Sequence, residues 1–126
     1  MSKTAVLQGL KILVVDDEEA LRQIITLSLK KRGAEVSEAR NGSLAMDILK
    51  THRYDFVISD IRMPGGDGIQ LSNQVAGLPE PRPKVILMTG HVDVPNQEAI
   101  KMMALGVLRK PFSRDALLDL IMKNRG

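Results

Sequence analysis

Lys11-Ile12-Leu13-Val14-Val15 runs without a break into Asp16-Asp17-Glu18-Glu19. A short, mostly β-branched apolar run closed by charges reads as a strand covered on both faces, since a strand with one wet face would alternate apolar and polar residues. Four acidic residues directly behind such a strand set carboxylates at the edge of a sheet. Downstream, Leu21, Ile24, Ile25, Ser28 and Leu29 recur at helical spacing, Glu18 and Glu19 suit a helix N-terminus, and Gly33 stands where a helix stops. The reading is a first strand, an acidic turn and a helix over about 18–32.

The same unit repeats along the chain. A weak strand over 34–38 leads through Asn41-Gly42 to a helix over 42–51, whose apolar face carries Leu44, Ala45, Ile48 and Leu49. A third strand over 54–59 ends at Asp60, ahead of the breaker-rich Met63-Pro64-Gly65-Gly66-Asp67-Gly68 and a helix over about 67–78. Pro79, Pro81 and Pro83 stiffen the connection into Lys84-Val85-Ile86-Leu87-Met88, which ends at Thr89-Gly90-His91. A helix over about 95–104, a strand over 106–109 stopping at Lys110-Pro111, and an amphipathic helix marked by Leu117, Leu118, Ile121 and Met122 complete the series. Five strand-helix pairs with apolar strands predict a three-layer α/β/α, doubly wound, five-stranded parallel sheet, because right-handed crossovers place helices on both faces.

Composition narrows the function classes. At 126 residues one core and one domain are expected, over 8–126. With 44% hydrophobic and 26% charged residues the chain is globular in composition rather than disordered. Tyr54, Phe56 and Phe112 are the only aromatics, too few for a base-stacking platform or a flavin pocket. The net charge is +3, but Lys and Arg are scattered, which reads as solvated faces and not as a nucleic-acid footprint. Without cysteine there is no disulfide or thiolate metal site. No stretch approaches the ~18 apolar residues of a membrane span, so no membrane association and a cytoplasmic location are expected.

In doubly wound sheets ligands sit beyond the carboxyl ends of the strands. Asp16 and Asp17 follow the first strand, Asp60 the third, Thr89 the fourth and Lys110 the fifth, so all five converge on one edge. Each alone has an ordinary reading as a cap, a turn former or a surface charge. Three carboxylates together repel pairwise, by about 4 kcal/mol at ~4 Å and an effective dielectric of ~20, which calls for a cation. Lys110 supplies one charge, and a hard divalent ion with oxygen ligands, Mg²⁺, supplies the rest. An ionised Asp60 then needs no general base to act as a nucleophile toward a phosphoryl group, with the Lys110 and Thr89 side chains on the phosphoryl oxygens.

The motifs Val14-Val15-Asp16-Asp17-Glu18, Asp60-Ile61-Arg62-Met63-Pro64-Gly65-Gly66-Asp67-Gly68, Met88-Thr89-Gly90-His91 and Leu108-Arg109-Lys110-Pro111-Phe112 resemble, in order and spacing, the receiver domains of bacterial two-component response regulators. The likeness spans about 10–124. It implies a flavodoxin-like fold, Asp60 as phosphoacceptor, and Mg²⁺ held by Asp17, by Asp16 largely through water, by Asp60 and by the backbone carbonyl of Arg62. It also implies Lys110 and Thr89 on the phosphoryl group, a cis Lys110-Pro111 bond, and a phosphohistidine donor on a sensor histidine kinase or histidine phosphotransfer protein. Such a domain catalyses its own phosphorylation and dephosphorylation without being a turnover enzyme. It switches a protein-interaction face, and as monomer or weak dimer it would use the fourth helix, fifth strand and fifth helix. With the chain ending soon after the last helix, a stand-alone receiver or a piece of a longer regulator is expected.

One departure concerns output. Receivers commonly carry Tyr or Phe three residues before the strand-five lysine, and here Val107 stands there, so the aromatic half of the usual switch is missing. Arg62 and Gly90 are expected to tune the lifetime of the phosphoryl group. Three rival readings fit the residues less well. A haloacid-dehalogenase-like phosphatase wants a second Asp two residues after the nucleophile, where this chain has Arg62. A degenerate receiver acting as a phosphorylation-independent interaction module would not need every chemical residue. A flavodoxin-like electron carrier wants aromatics around its flavin. His52 and His91 lack a paired ligand spacing, and Met102 and Met103 read as packing residues.

Overall fold

A computed structural model of the chain describes residues 6–61, 63, 68–89, 106–109 and 113–125, with backbone alone at 106, 107, 109 and 114. Along it run β1 (Lys11–Val15), α1 (Glu19–Lys30), β2 (Glu35–Ala39), α2 (Gly42–Leu49), β3 (Phe56–Asp60), α3 (Gly68–Ala76), β4 (Lys84–Thr89), β5 (Gly106–Arg109) and α4 (Arg114–Asn124). The strands make one sheet in the order β2-β1-β3-β4-β5, every pairing parallel. The described residues therefore contain five strands and four helices, and the helix expected over 95–104 lies outside them. His91, Met102 and Met103 lie outside them too.

The continuous apolar runs follow from coverage on both faces. Side chains alternate along a strand, so Leu13, Val15, Val57, Val85 and Leu87 meet Ala45, Met46 and Leu49 of α2 and Leu71 and Val75 of α3. The intervening Ile12, Val14, Phe56, Ile58, Ile86 and Met88 meet Ile25 and Leu29 of α1 and Leu117 and Ile121 of α4. Each such fully buried side chain contributes roughly 1.5–3 kcal/mol relative to exposure. β2 read weakly because it is an edge strand: Glu35 and Glu38 are exposed and only Ala39 is buried, a pattern that discourages pairing with a further strand.

Boundaries shift by a residue or two from the sequence expectation, as helix and strand ends do. The third strand starts at Phe56 rather than 54, and Tyr54 instead sends its hydroxyl to Ser37 Oγ, 2.9 Å away. α2 ends at Leu49 and α3 at Ala76. The Gly33 stop stands: φ is +98°, and a Cβ there would come within 3.0 Å of Gln8. Asn41 caps α2 by accepting from the Leu44 N–H at 2.8 Å, and Ser113 caps α4 by accepting from the Ala116 N–H at 3.0 Å.

A clasp joins the two ends of the described chain at the start of the sheet. The Arg125 guanidinium donates to the carbonyls of Val6 and Gln8, Lys84 Nζ donates to the Asn124 carbonyl, and the Leu7 N–H donates to Arg32 O at 2.8 Å. Leu7 is fully buried.

Candidate metal and phosphoryl site

Parallel register brings the carboxylates together. Val15 pairs with Ser59, so the next residues, Asp16 and Asp60, leave neighbouring strands at one level and with the same side-chain parity. Carboxylate oxygens of Asp16, Asp17 and Asp60 all lie within 4.8 Å of one another. Asp16 is fully buried, Asp60 half-buried and Asp17 exposed, so the cluster grades from protein to solvent. Thr89 ends β4 and is 2% exposed. Asp60 pairs with Met88 in register, one residue before Thr89, which brings the hydroxyl-bearing strand end beside the half-buried carboxylate.

Two loops carry the acids. In the β1–α1 loop the Asp16 N–H donates to Ala39 O at 3.1 Å, its carbonyl accepts from Arg22 Nη1 at 2.7 Å, and its Oδ1 accepts from the Glu18 N–H at 2.9 Å. Asp16 is thus a local turn brace, whereas Glu18, the residue at the N-cap of α1, makes no side-chain capping bond. In the β3–α3 loop the Ile61 N–H donates to Met88 O at 2.9 Å and the Gly68 N–H to Ile61 O at 2.8 Å. Ser59 Oγ donates to the Asp60 carbonyl at 2.9 Å. A Cβ on Gly68 would stand 2.3 Å from that same carbonyl oxygen.

Of the residues expected at the site, Asp16, Asp17, Asp60 and Thr89 are described. Arg62, Lys110, the Lys110-Pro111 bond, Gly65, Gly66 and Gly90 lie outside the described residues, as does the Val107 side chain; the Val107 backbone pairs with Leu87. From the sequence Gly68 reads as part of a breaker-rich segment, without sign of its close approach to Asp60, and Arg22 as one of the scattered, solvated charges. Only the β2-β1-β3 order shows what Arg22 can reach.

The donor set suits a hard cation. Three carboxylates offer oxygen only, and Mg²⁺ prefers one or two carboxylates with water and phosphoryl oxygens completing its shell. A Ca²⁺ cage would draw on more protein oxygens, and zinc would want nitrogen or sulfur, which this cluster lacks.

Fold and cluster together define a class: a doubly wound parallel α/β domain with an acidic cluster able to hold a cation beyond β1 and β3. The family model of the response regulator receiver domain matches residues 12–122, and the chain belongs to that family of two-component signalling domains. It is 34% identical over 114 residues to sporulation initiation phosphotransferase F of Bacillus subtilis, covering 90% of this chain and 91% of that protein. It is 38% identical over 111 residues to the transcriptional regulatory protein FixJ of Bradyrhizobium diazoefficiens, 87% of this chain but 54% of that protein. The chain therefore spans about half of FixJ, and 27% and 25% of two longer transcriptional regulatory proteins. Among solved structures, response regulator TrrA of Thermotoga maritima in complex with Mg²⁺-BeF superposes with a TM-score of 0.81 at 31% identity, covering 90% of this chain and 96% of that one. Among the described residues, no helix is long and apolar enough to cross a membrane.

Proposed function

We propose that this chain is a phosphoacceptor receiver that takes a phosphoryl group onto Asp60 from a phosphohistidine of a sensor histidine kinase or histidine phosphotransfer protein. The observation that carries the reading is the convergence of the Asp16, Asp17 and Asp60 carboxylates within 4.8 Å, in a family whose relative TrrA is solved with Mg²⁺-BeF. Asp16, Asp17, Asp60 and the Arg62 carbonyl would hold Mg²⁺, which when bound neutralises charge between the acids and the incoming phosphoryl oxygens.

Asp60 supplies the nucleophile. One of its ionised oxygens forms the O–P bond as the N–P bond to the donor imidazole breaks, and the imidazole keeps that electron pair and takes a proton. Asp16 and Asp17 place two further carboxylates beside Asp60 and offer their oxygens to a hard cation. The Lys110 ammonium pairs with the phosphoryl group and the Thr89 hydroxyl donates to it. Attack of water on phosphorus later returns the Asp60 carboxylate and inorganic phosphate, so the chain turns over its own modification and is not an enzyme acting on a small substrate.

Thr89 is the last residue of β4, whose neighbour β5 carries Val107 and pairs Arg109 with Thr89. A displacement of Thr89 toward a phosphoryl group therefore reaches β5 through backbone pairing, without an aromatic at position 107. Moving such a switch from 1:99 to 99:1 takes about 5.5 kcal/mol of differential stabilisation, within reach of a dianion that gains Thr89 and Lys110 as partners. The output is a protein-interaction face around the helix expected over 95–104, β5 and α4, in a monomer or weak dimer, in the cytoplasm and with no direct nucleic-acid or membrane contact.

The test is intact-protein mass after incubation with acetyl phosphate and Mg²⁺, comparing the native chain with Asp60→Asn. One added phosphoryl group that requires Mg²⁺ and is absent from Asp60→Asn is the expected result. No addition, either to acetyl phosphate or from a panel of phosphorylated histidine phosphotransfer proteins, would overturn the reading in favour of a phosphorylation-independent interaction module.

A further inference from the structure

Arg22 sits on the first turn and a half of α1, with its side chain only 14% exposed. Its guanidinium spans two elements: Nε donates to Glu38 Oε1 of β2 at 2.7 Å, and Nη1 donates to the backbone carbonyl of Asp16 at 2.7 Å. The same Asp16 residue is held from the other side, its N–H donating to Ala39 O at 3.1 Å. Because a peptide unit is planar, fixing the Asp16 carbonyl fixes the plane that also carries the Asp17 N–H and aims the Asp17 Cα. Asp17 is the exposed member of the carboxylate cluster, beside two like charges.

We propose that Arg22, tethered by Glu38, is the positioning residue that holds the Asp16–Asp17 peptide so that both carboxylates face Asp60 before a cation arrives. This deepens the Mg²⁺ reading given above and rests on it. Without the clamp, repulsion among the three carboxylates swings the loop outward, and each binding event must order it again. The fork geometry explains why arginine is needed: a lysine ammonium keeps the charge but is a compact point, less suited to bridging a carboxylate and a carbonyl on different elements.

The sign of the effect separates positioning from plain electrostatics. A cation beside a metal site repels the metal, so an Arg22 acting through charge alone would weaken Mg²⁺ binding, and its removal would tighten it. An Arg22 acting through the Asp16 carbonyl does the opposite. Mutation of residues that orient metal ligands typically costs about 10–100-fold in metal affinity, and for a clamp acting through the backbone the lower end of about tenfold is expected.

The experiment is titration of the full chain with MgCl₂, following backbone amide shifts of residues 16–18 by NMR, for the native protein, Arg22→Met, Arg22→Lys and Glu38→Gln. Expected is a Mg²⁺ dissociation constant raised about tenfold in Arg22→Met, nearly as much in Arg22→Lys, and in the same direction but less in Glu38→Gln. An unchanged or lower constant in Arg22→Met, or full recovery in Arg22→Lys, would overturn the proposal. If Arg22→Met does not fold, Arg22→Gln, which likewise removes the charge and the bridge to Glu38 but keeps a polar side chain, decides by the same sign. No saturable Mg²⁺ binding by the native protein would instead bring down the parent reading, and this inference with it.

Discussion

The two loops that present the acids reach one outcome by opposite means. The β1–α1 loop is pinned by polar bonds: Ala39 O, Arg22 and the Glu18 N–H each hold one group of Asp16. The described ends of the β3–α3 loop are hydrogen-bonded too, but the contact peculiar to it rests on a missing side chain, because Gly68 lets the start of α3 lie directly against the Asp60 carbonyl. Polar pins can be removed one at a time with graded losses, whereas a steric gap is either empty or filled. The half-buried Asp60 is therefore set by the harder constraint, and the exposed Asp17 by the softer one.

Gly68→Ala should break the comparison most severely. The added Cβ would stand 2.3 Å from Asp60 O, so the loop must move, and overpacking of this kind costs about 1–3 kcal/mol and sometimes more. A lowered urea midpoint together with loss of phosphoryl acceptance is expected; native stability would show that the loop is not sterically seated. Asp16→Asn comes next and has the opposite sign. The amide oxygen still accepts from the Glu18 N–H, while a charge facing Asp60 and Asp17 disappears. In EDTA this variant should be more stable than the native chain by about 1 kcal/mol, after discounting the repulsion for the exposure of Asp17 and the half-exposure of Asp60. In excess Mg²⁺ the advantage should vanish, because only the native chain gains from binding, and thermal melts in both buffers read this out. Tyr54→Phe is the smallest, removing the hydrogen bond to Ser37 Oγ made just before β3, at the end of that strand opposite the acids, for about 1 kcal/mol or less and leaving the Mg²⁺ titration unchanged. A changed titration there would mean that any loss of stability moves the site.

Much of this was legible in the sequence because the informative residues are adjacent to strong signals. Val14-Val15-Asp16-Asp17 states a buried strand and a carboxylate edge in four letters, and Ile58-Ser59-Asp60 repeats the statement. β2 was faint because one edge of an edge strand meets water, which leaves Val36 and Ser37 only half-buried. Arg22 was illegible for a topological reason: its partners, Asp16 and Glu38, lie 6 and 16 residues away in sequence, and β2 must first be known to lie beside β1. Gly68 looked like one glycine among several near a proline, since nothing local announces that another strand's carbonyl will occupy the space of its missing side chain.

The clasp between Arg125 and the carbonyls of Val6 and Gln8 bears on how the molecule can be handled. It gathers the start and finish of the described chain at the pole where the strands begin, a strand's length, roughly 16 Å, from the carboxylates. A fluorophore, a surface linker or a fusion partner attached at either side of that clasp leaves the mouth of the site unobstructed. The same proximity suits a circularly permuted chain, joined across the clasp and reopened in the exposed proline segment between α3 and β4.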